Sequence, residues 1–224
     1  MITIRQSTIS NILYPFNWGN IPEDKQKMIL ERGTRNHNES QYFFAKQWSI
    51  PDEYKLSYEY GGIKIDGHCD LAPAYADTVK QNFLLELKFS GNSYFKMYDS
   101  YYFQVAFYHI ASGKPVQHIT TDVKQGVSVI KMFDLPYYDL YELMHLMNDA
   151  IDLYKMKLVI NNKEADGRYF NVEHQDQVHS WEAKRDYNAH KIQKLLKKHM
   201  RTPSLTEQYY WNQYASHKGW RVFP

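Results

Sequence analysis

Two carboxylates and a lysine stand in one short region of the 224-residue chain. Asp70 lies in Gly67-His68-Cys69-Asp70-Leu71, and after a gap of fifteen residues Glu86-Leu87-Lys88 follows in the run Leu84-Leu85-Glu86-Leu87-Lys88. Side chains alternate faces along a strand, so Glu86 and Lys88 share one face while Leu85 and Leu87 take the other. Two carboxylates beside a lysine at strand ends can hold a hard divalent cation and act on an anionic substrate. Farther on, Gln104 and Tyr108 are four residues apart, one helical turn, and Gly33 and His37 upstream have the same spacing.

The elements that would carry these residues can be read from pattern. Pro22 followed by Glu23 and Asp24 predicts a helix start, and the helix runs to about Trp48. Gly33 inside it costs about 1 kcal/mol relative to alanine, which suggests close packing or ligand approach there. Lys55–Tyr60 alternates and predicts a strand, Gly61-Gly62 a turn, and Ile63–Ala72 a second strand. That alternation puts Asp66, His68 and Asp70 on one face, so Asp66 stands as an alternative to Asp70 if the register shifts. Val79–Ser90 predicts a third strand, and residues from about Tyr94 to Ser112 a helix stopped by Gly113 and Pro115. Val116–Phe133 predicts a hairpin with its tip near Lys124–Gly126. Leu135-Pro136 opens a helix through Lys157, and Asn161–Gly167 is a polar break.

From Arg168 the composition shifts. Trp181–Met200 predicts an amphipathic helix carrying Lys184, Arg185, Lys191, Lys194, Lys197, Lys198 and His199. As a functional element this helix would contact phosphates, with Trp181, Tyr187 and the cluster Tyr209-Tyr210-Trp211 as base-stacking platforms. The expected division is an irregular N-terminal extension over 1–22, a core over 23–160, and a basic helical extension over 161–224. The order of helices and strands predicts an α/β sandwich around a small mixed sheet.

Composition sets further bounds. Aromatics make up 16% of the chain, and twenty tyrosines suit a wet groove or half-buried surface. A net charge of +2 excludes little, because nucleic-acid binding needs only a local basic surface. A single cysteine, Cys69, excludes an intrachain disulfide and a cysteine-rich zinc or iron–sulfur site. The ten histidines show no zinc-enzyme spacing. The opening residues lack a sustained apolar stretch, so no signal peptide is expected, and no run approaches the roughly 18 apolar residues of a membrane span. A cytoplasmic protein of a bacterium or a virus-infected cell is the simplest expectation.

Asp70, then Glu86-Leu87-Lys88, resembles the D…(D/E)-x-K signature of the PD-(D/E)XK nuclease superfamily. With Gln104-x-x-x-Tyr108 and Gly33-x-x-x-His37 added, the chain resembles the RecB-like branch of that superfamily, which includes nucleases of recombination complexes, of CRISPR adaptation and of viruses. The resemblance covers about Gly33 to Tyr108. It implies a restriction-endonuclease-like core and divalent-metal-dependent hydrolysis of DNA, at ends or in single strands. It implies Mg²⁺ or Mn²⁺ held by Asp70, Glu86, the carbonyl of Leu87 and His37, with Lys88 orienting the attacking water or stabilising the phosphorane charge. It also implies that Gln104 and Tyr108 position a phosphate or the lysine, with Gly33 and His68 lining the substrate. The implied partners are DNA and a recombination or replication protein, with no membrane and with an oligomer left open. Two points depart from the family: the four cysteines of the CRISPR-adaptation enzymes are missing, and no proline precedes Asp70. A non-catalytic nucleic-acid- or protein-binding module on this fold, and an RNA-directed nuclease, are the competing expectations.

Overall fold

A computed structural model of the protein describes residues 1–15, 18–50, 53–72, 83–90, 95, 97–165 and 172–223, with side chains 163–165 and 172–174 left aside. The elements in chain order are β1 (Ile2–Arg5), α1 (Gln6–Leu13), α2 (Glu23–Trp48), β2 (Tyr54–Tyr60), β3 (Ile63–Cys69), β4 (Leu84–Ser90), α3 (Asp99–Ser112), β5 (Val116–Asp122), β6 (Val127–Phe133), α4 (Tyr137–Ala165), α5 (Val172–Lys198), β7 (Met200–Arg201), α6 (Tyr209–Lys218) and β8 (Arg221–Phe223). The class is α/β, with mixed sheets flanked by helices. No described helix is long and apolar enough to cross a membrane.

Instead of one small sheet there are two. The first has the order β1-β3-β2, and the second runs β4-β5-β6-β7 with β8 also paired to β6. The β2–β3 hairpin follows from Gly61 (φ 55°) and Gly62 (φ 80°), whose successive left-handed conformations match the twist of a two-residue turn. The sheets meet where Leu71 and Leu85 exchange backbone hydrogen bonds of 3.2 and 2.9 Å. This bridge places Asp70, just past β3, beside Glu86 on β4.

β4 separates two cores. Leu84 joins Ile65, Phe103, Phe107 and Leu196 on one side. Leu85 and Leu87 join Phe44, Ile119, Trp211 and Tyr214 on the other. All seven residues of β5 are buried, as befits an inner strand held between β4 and β6. Gly67 on β3 has a packing reason: a methyl group there would sit 2.5 Å from Phe107. α3 can therefore lie close against β3, with its last turn closed by Gly113 at φ 66°.

Several expectations are corrected. The expected irregular N-terminal extension is regular from Ile2 to Leu13: β1 pairs in parallel with β3, and Ile9 and Leu13 of α1 are fully buried. The third strand begins at Leu84, and the expected stretch before Phe83 lies outside the described residues. α3 starts at Asp99, after Tyr98 as N-cap. α4 continues through Asn161 to Ala165, so the polar break opens no gap there, and α5 starts at Val172 instead of Trp181. The aromatic tail folds as α6 and β8.

The C-terminal segment is tied back by an ion pair. Arg201 donates from Nη1 and Nη2 to the two Glu207 oxygens at 2.8 and 2.6 Å, and the Ser204 N–H adds a bond of 2.7 Å. The Arg201 hydrogen bonds hold the Glu207 carboxyl down at about 2, against a partial burial that would raise it. A depressed carboxyl contributes stability above its unfolded value and loses it as pH falls through the folded value. Glu207→Gln is therefore expected to cost about 1 kcal/mol at neutral pH, a figure discounted for solvent screening. It should also flatten the loss of stability between about pH 4.5 and 2, read by chemical denaturation at a series of pH values.

Candidate functional site

Three elements bring the site together: α2 supplies His37, the end of β3 supplies Asp70, and β4 supplies Glu86 and Lys88. His37 Nε2 lies 2.7 Å from Asp70 Oδ1. The other Asp70 oxygen accepts the Leu87 backbone N–H at 2.6 Å. One aspartate thus joins the helix to the strand that carries Glu86 and Lys88.

Glu86 is 2% exposed. One of its oxygens takes the Lys88 ammonium, and the other, Oε2, has no hydrogen-bond partner among the described residues. Burial, followed by the nearby charge of Asp70, pushes the Glu86 carboxyl up to about 7. Burial alone would lower Lys88, but the charges of Glu86 and Asp70 outweigh it and keep the ammonium protonated. Lys88 in this setting is a fixed cation, not a base. The hydrogen bond to Asp70 raises His37 above its usual value, although burial opposes it.

Gln104 and Tyr108 share a face of α3, and they act on the site through the backbone. Gln104 Nε2 donates to the Tyr108 hydroxyl at 2.7 Å, and that hydroxyl donates to the His68 carbonyl at 2.6 Å. His68 is two residues before Asp70, so the pair pins the strand end from which Asp70 projects. The Tyr108 hydroxyl also lies against Glu86 and works to lower its carboxyl, but its one proton goes to the His68 carbonyl, so Oε2 gains no donor from it. The Cys69 thiol, buried, donates to the Leu85 carbonyl at 2.9 Å and fixes the same strand junction from the other side.

The remaining predicted residues fall as follows. The His68 imidazole turns toward Glu53, at 3.4 Å on the surface, away from the acid pair. Asp66 pairs with Lys64 at 3.4 Å, so Asp70 and not Asp66 is the acid that meets His37. Among the described residues, nothing outside its own helix lies within 4 Å of where a Cβ at Gly33 would stand, so none of them demands a glycine there. Trp181, Tyr210 and Trp211 are buried in the cores, so they are not stacking platforms, whereas Tyr187 and Tyr209 are exposed.

Two side chains that the sequence did not single out belong to the site. The Tyr101 ring lies over the Lys88 ammonium, 5.2 Å from ring centroid to Nζ, and 5.5 Å from the His118 ring. Tyr101 precedes Gln104 and Tyr108 by three and seven residues on α3, which is the same helical stripe. His118 sits on β5 in register with Glu86 and is 1% exposed. Burial, then Lys88 and Lys131, pushes it down to about 3, so it is neutral. Helical spacing gave a signal for Tyr101. For His118 there was none, because only strand register links it to Glu86.

Among the described residues no set of three His, Cys, Asp or Glu side chains is gathered in metal-ligating geometry. The donor types nevertheless suit a hard divalent cation: a buried carboxylate oxygen without a partner, a second carboxylate beside it, and an imidazole on that carboxylate.

No protein-family model matches the chain. No curated protein matches it. Among solved structures, the chain is similar to a crystal structure of SSO0001, with a TM-score of 0.45 and 16% identity over 68% of this chain and 77% of that one.

Proposed function

We propose that the protein is a divalent-metal-dependent nuclease with a restriction-endonuclease-like core of the RecB-like branch, hydrolysing phosphodiester bonds in DNA at ends or in single strands. The observation that carries this reading is the meeting of His37, Asp70, Glu86 and Lys88 from three separate elements around one unsatisfied buried carboxylate oxygen. A buried unpaired carboxylate oxygen costs free energy, and a water or a metal ion is the kind of group that completes it.

Asp70 and Glu86 would hold the cation, with His37 on Asp70 and the backbone of Leu87 at the same junction. Bound Mg²⁺ or Mn²⁺ supplies positive charge beside the scissile phosphate and lowers the pKa of a water. Lys88 presents its ammonium to a phosphate oxygen as a compact charge that burial does not neutralise. Asp70 keeps its place through the Leu87 N–H, and Gln104 with Tyr108 keeps the strand end from rotating. Tyr101 is a positioning residue, since its ring face holds the ammonium where Glu86 can share it.

The test is cleavage of labelled single-stranded and duplex DNA, and of the matching RNA, in Mg²⁺, Mn²⁺ or EDTA. Wild type is expected to cut DNA only with metal, and Asp70→Ala, Glu86→Ala and Lys88→Ala are expected to be inactive. Equal activity in all four proteins would defeat the reading, and preferential cutting of RNA would move it to an RNA-directed nuclease. The two closed ion pairs favour a second reading, a nucleic-acid-binding module that does not cut. Metal-independent binding without cleavage of any substrate would establish that one.

Tyr101 gives a finer check. Tyr101→Phe keeps the ring and should stay within about twofold of wild type. Tyr101→Leu should lower kcat about tenfold or more with little change in KM, the scale seen when a residue that orients a site group is lost. If leucine and phenylalanine behave alike, the ring does not position Lys88.

A further inference from the structure

Strand register continues the site across the second sheet. Glu86 on β4 lies opposite His118 on β5, which lies opposite Lys131 on β6. Alternation puts Lys88 on the same sheet face, one row along. Lys131 is two strands from β4, about 10 Å across the sheet. It is half-buried, and Lys197 near the C-terminal end of α5 bears on it electrostatically. The Lys197 ammonium in turn stands 5.6 Å from the Tyr102 ring of α3.

These cations are not neutralised from within. The acids on the neighbouring elements are engaged elsewhere: Asp122 accepts the Lys124 and Gln125 N–H groups, Asp139 pairs with Lys198 and His199, and Glu86 holds Lys88. Neither Lys131 nor Lys197 has a carboxylate partner among the described residues. Between Lys88 and Lys131 stands His118, nine-tenths buried and more, with Nε2 lacking a partner. Two like charges without a carboxylate between them repel each other, and an anion bound against both would be favoured.

Elsewhere on α5, Arg185 pairs with Asp186 and covers Trp181, and Lys198 pairs with Asp139. Lys131 and Lys197 are the cations linked to the site, Lys131 by its register with His118 and Glu86 and Lys197 by its place against Tyr102 of α3.

We infer that Lys131 and Lys197 form a phosphate-binding shelf for a single DNA strand, on β6 and at the end of α5, beside the site that holds Lys88. The inference rests on the phosphodiester substrate proposed above. The shelf contacts the backbone alone, so it is indifferent to base sequence and strongly salt-dependent.

The test is fluorescence anisotropy with a labelled single-stranded DNA oligonucleotide, in EDTA, over a series of KCl concentrations. Each phosphate contact adds about 0.7 to the salt slope for single strands, so Lys131→Gln and Lys197→Gln should each lower that slope by about 0.7. Affinity at 0.1 M salt should fall about fivefold for each, which is the same contribution expressed at that concentration. Lys131→Arg keeps the charge and should bind like wild type, which separates the lost contact from a disturbed sheet. Lys25→Gln, exposed on α2 and twelve residues or about 18 Å along it from His37, should also bind like wild type. Unchanged affinity and slope in both glutamine variants would overturn the shelf. If metal-dependent cleavage persisted in that case, the nuclease reading would survive without it. Weakened binding in the glutamine variants, with no cleavage by wild type, would keep the shelf and end the nuclease reading.

Discussion

Asp70→Asn is expected to abolish divalent-cation binding while the protein remains folded. The substitution keeps a carbonyl oxygen for the Leu87 N–H, so no buried donor is stranded. It removes the charge that answers His37 and that, with Glu86, would hold the cation. A ligand that binds only the native state raises stability by RT ln(1 + [L]/Kd), about 2.7 kcal/mol at a hundred times Kd. Wild type should therefore melt at a higher temperature as Mn²⁺ is added, and Asp70→Asn should show no such shift at the same concentrations. Cleavage should fall by more than about a hundredfold, because even residues that merely orient a ligand cost about ten- to a hundredfold. A variant still stabilised by Mn²⁺ to the wild-type extent would place the cation elsewhere.

The second large effect separates stability from activity. Lys88→Met leaves the Glu86 carboxyl, 2% exposed and already held up at about 7, without its cation, and it then takes up a proton. Breaking a buried pair in this way costs about 3 kcal/mol, the low end of the usual range because the carboxyl neutralises and the Lys88 side chain is 23% exposed. Replacing both members by apolar residues of similar size, as in Glu86→Leu with Lys88→Met, removes the stranded polar group along with the pair. The double variant should then recover most of the lost stability in urea denaturation, and could exceed wild type. It should show no cleavage. If it were as unstable as the single variant, the pair would be holding the fold together instead of being kept for a ligand.

Where the sequence was legible, local chemistry decided the structure. Acids after Pro22 start α2, Gly61-Gly62 turns the β2–β3 hairpin, and the turn residues near Lys124–Gly126 divide Val116–Phe133 into β5 and β6. The acid–lysine spacing on β4 and the four-residue spacings on α2 and α3 were visible because a single element fixes each. What failed depended on partners distant in the chain. Ile2–Arg5 is too short to read as a strand and becomes one by pairing with β3. Trp181, Tyr210 and Trp211 offer both an apolar body and a polar tip, and packing put them inside. Asn161 and Asn162 looked like a break, yet α4 runs through them, since polar residues on an exposed helix face cost little. The role of His118 exists only through its register with Glu86, which no spacing within one strand can reveal.

The pairing of Leu71 with Leu85 is what turns two separated acids into neighbours. The claim that they face one cation is tested most directly by diffraction from crystals soaked in Mn²⁺, recorded at a wavelength where manganese scatters anomalously. An anomalous peak is expected bounded by carboxylate oxygens of Asp70 and Glu86, at about 2.1 to 2.2 Å as for hard cations of this size. The absence of a peak there, with Lys88 still bound to Glu86 and His37 to Asp70 at saturating Mn²⁺, would contradict it.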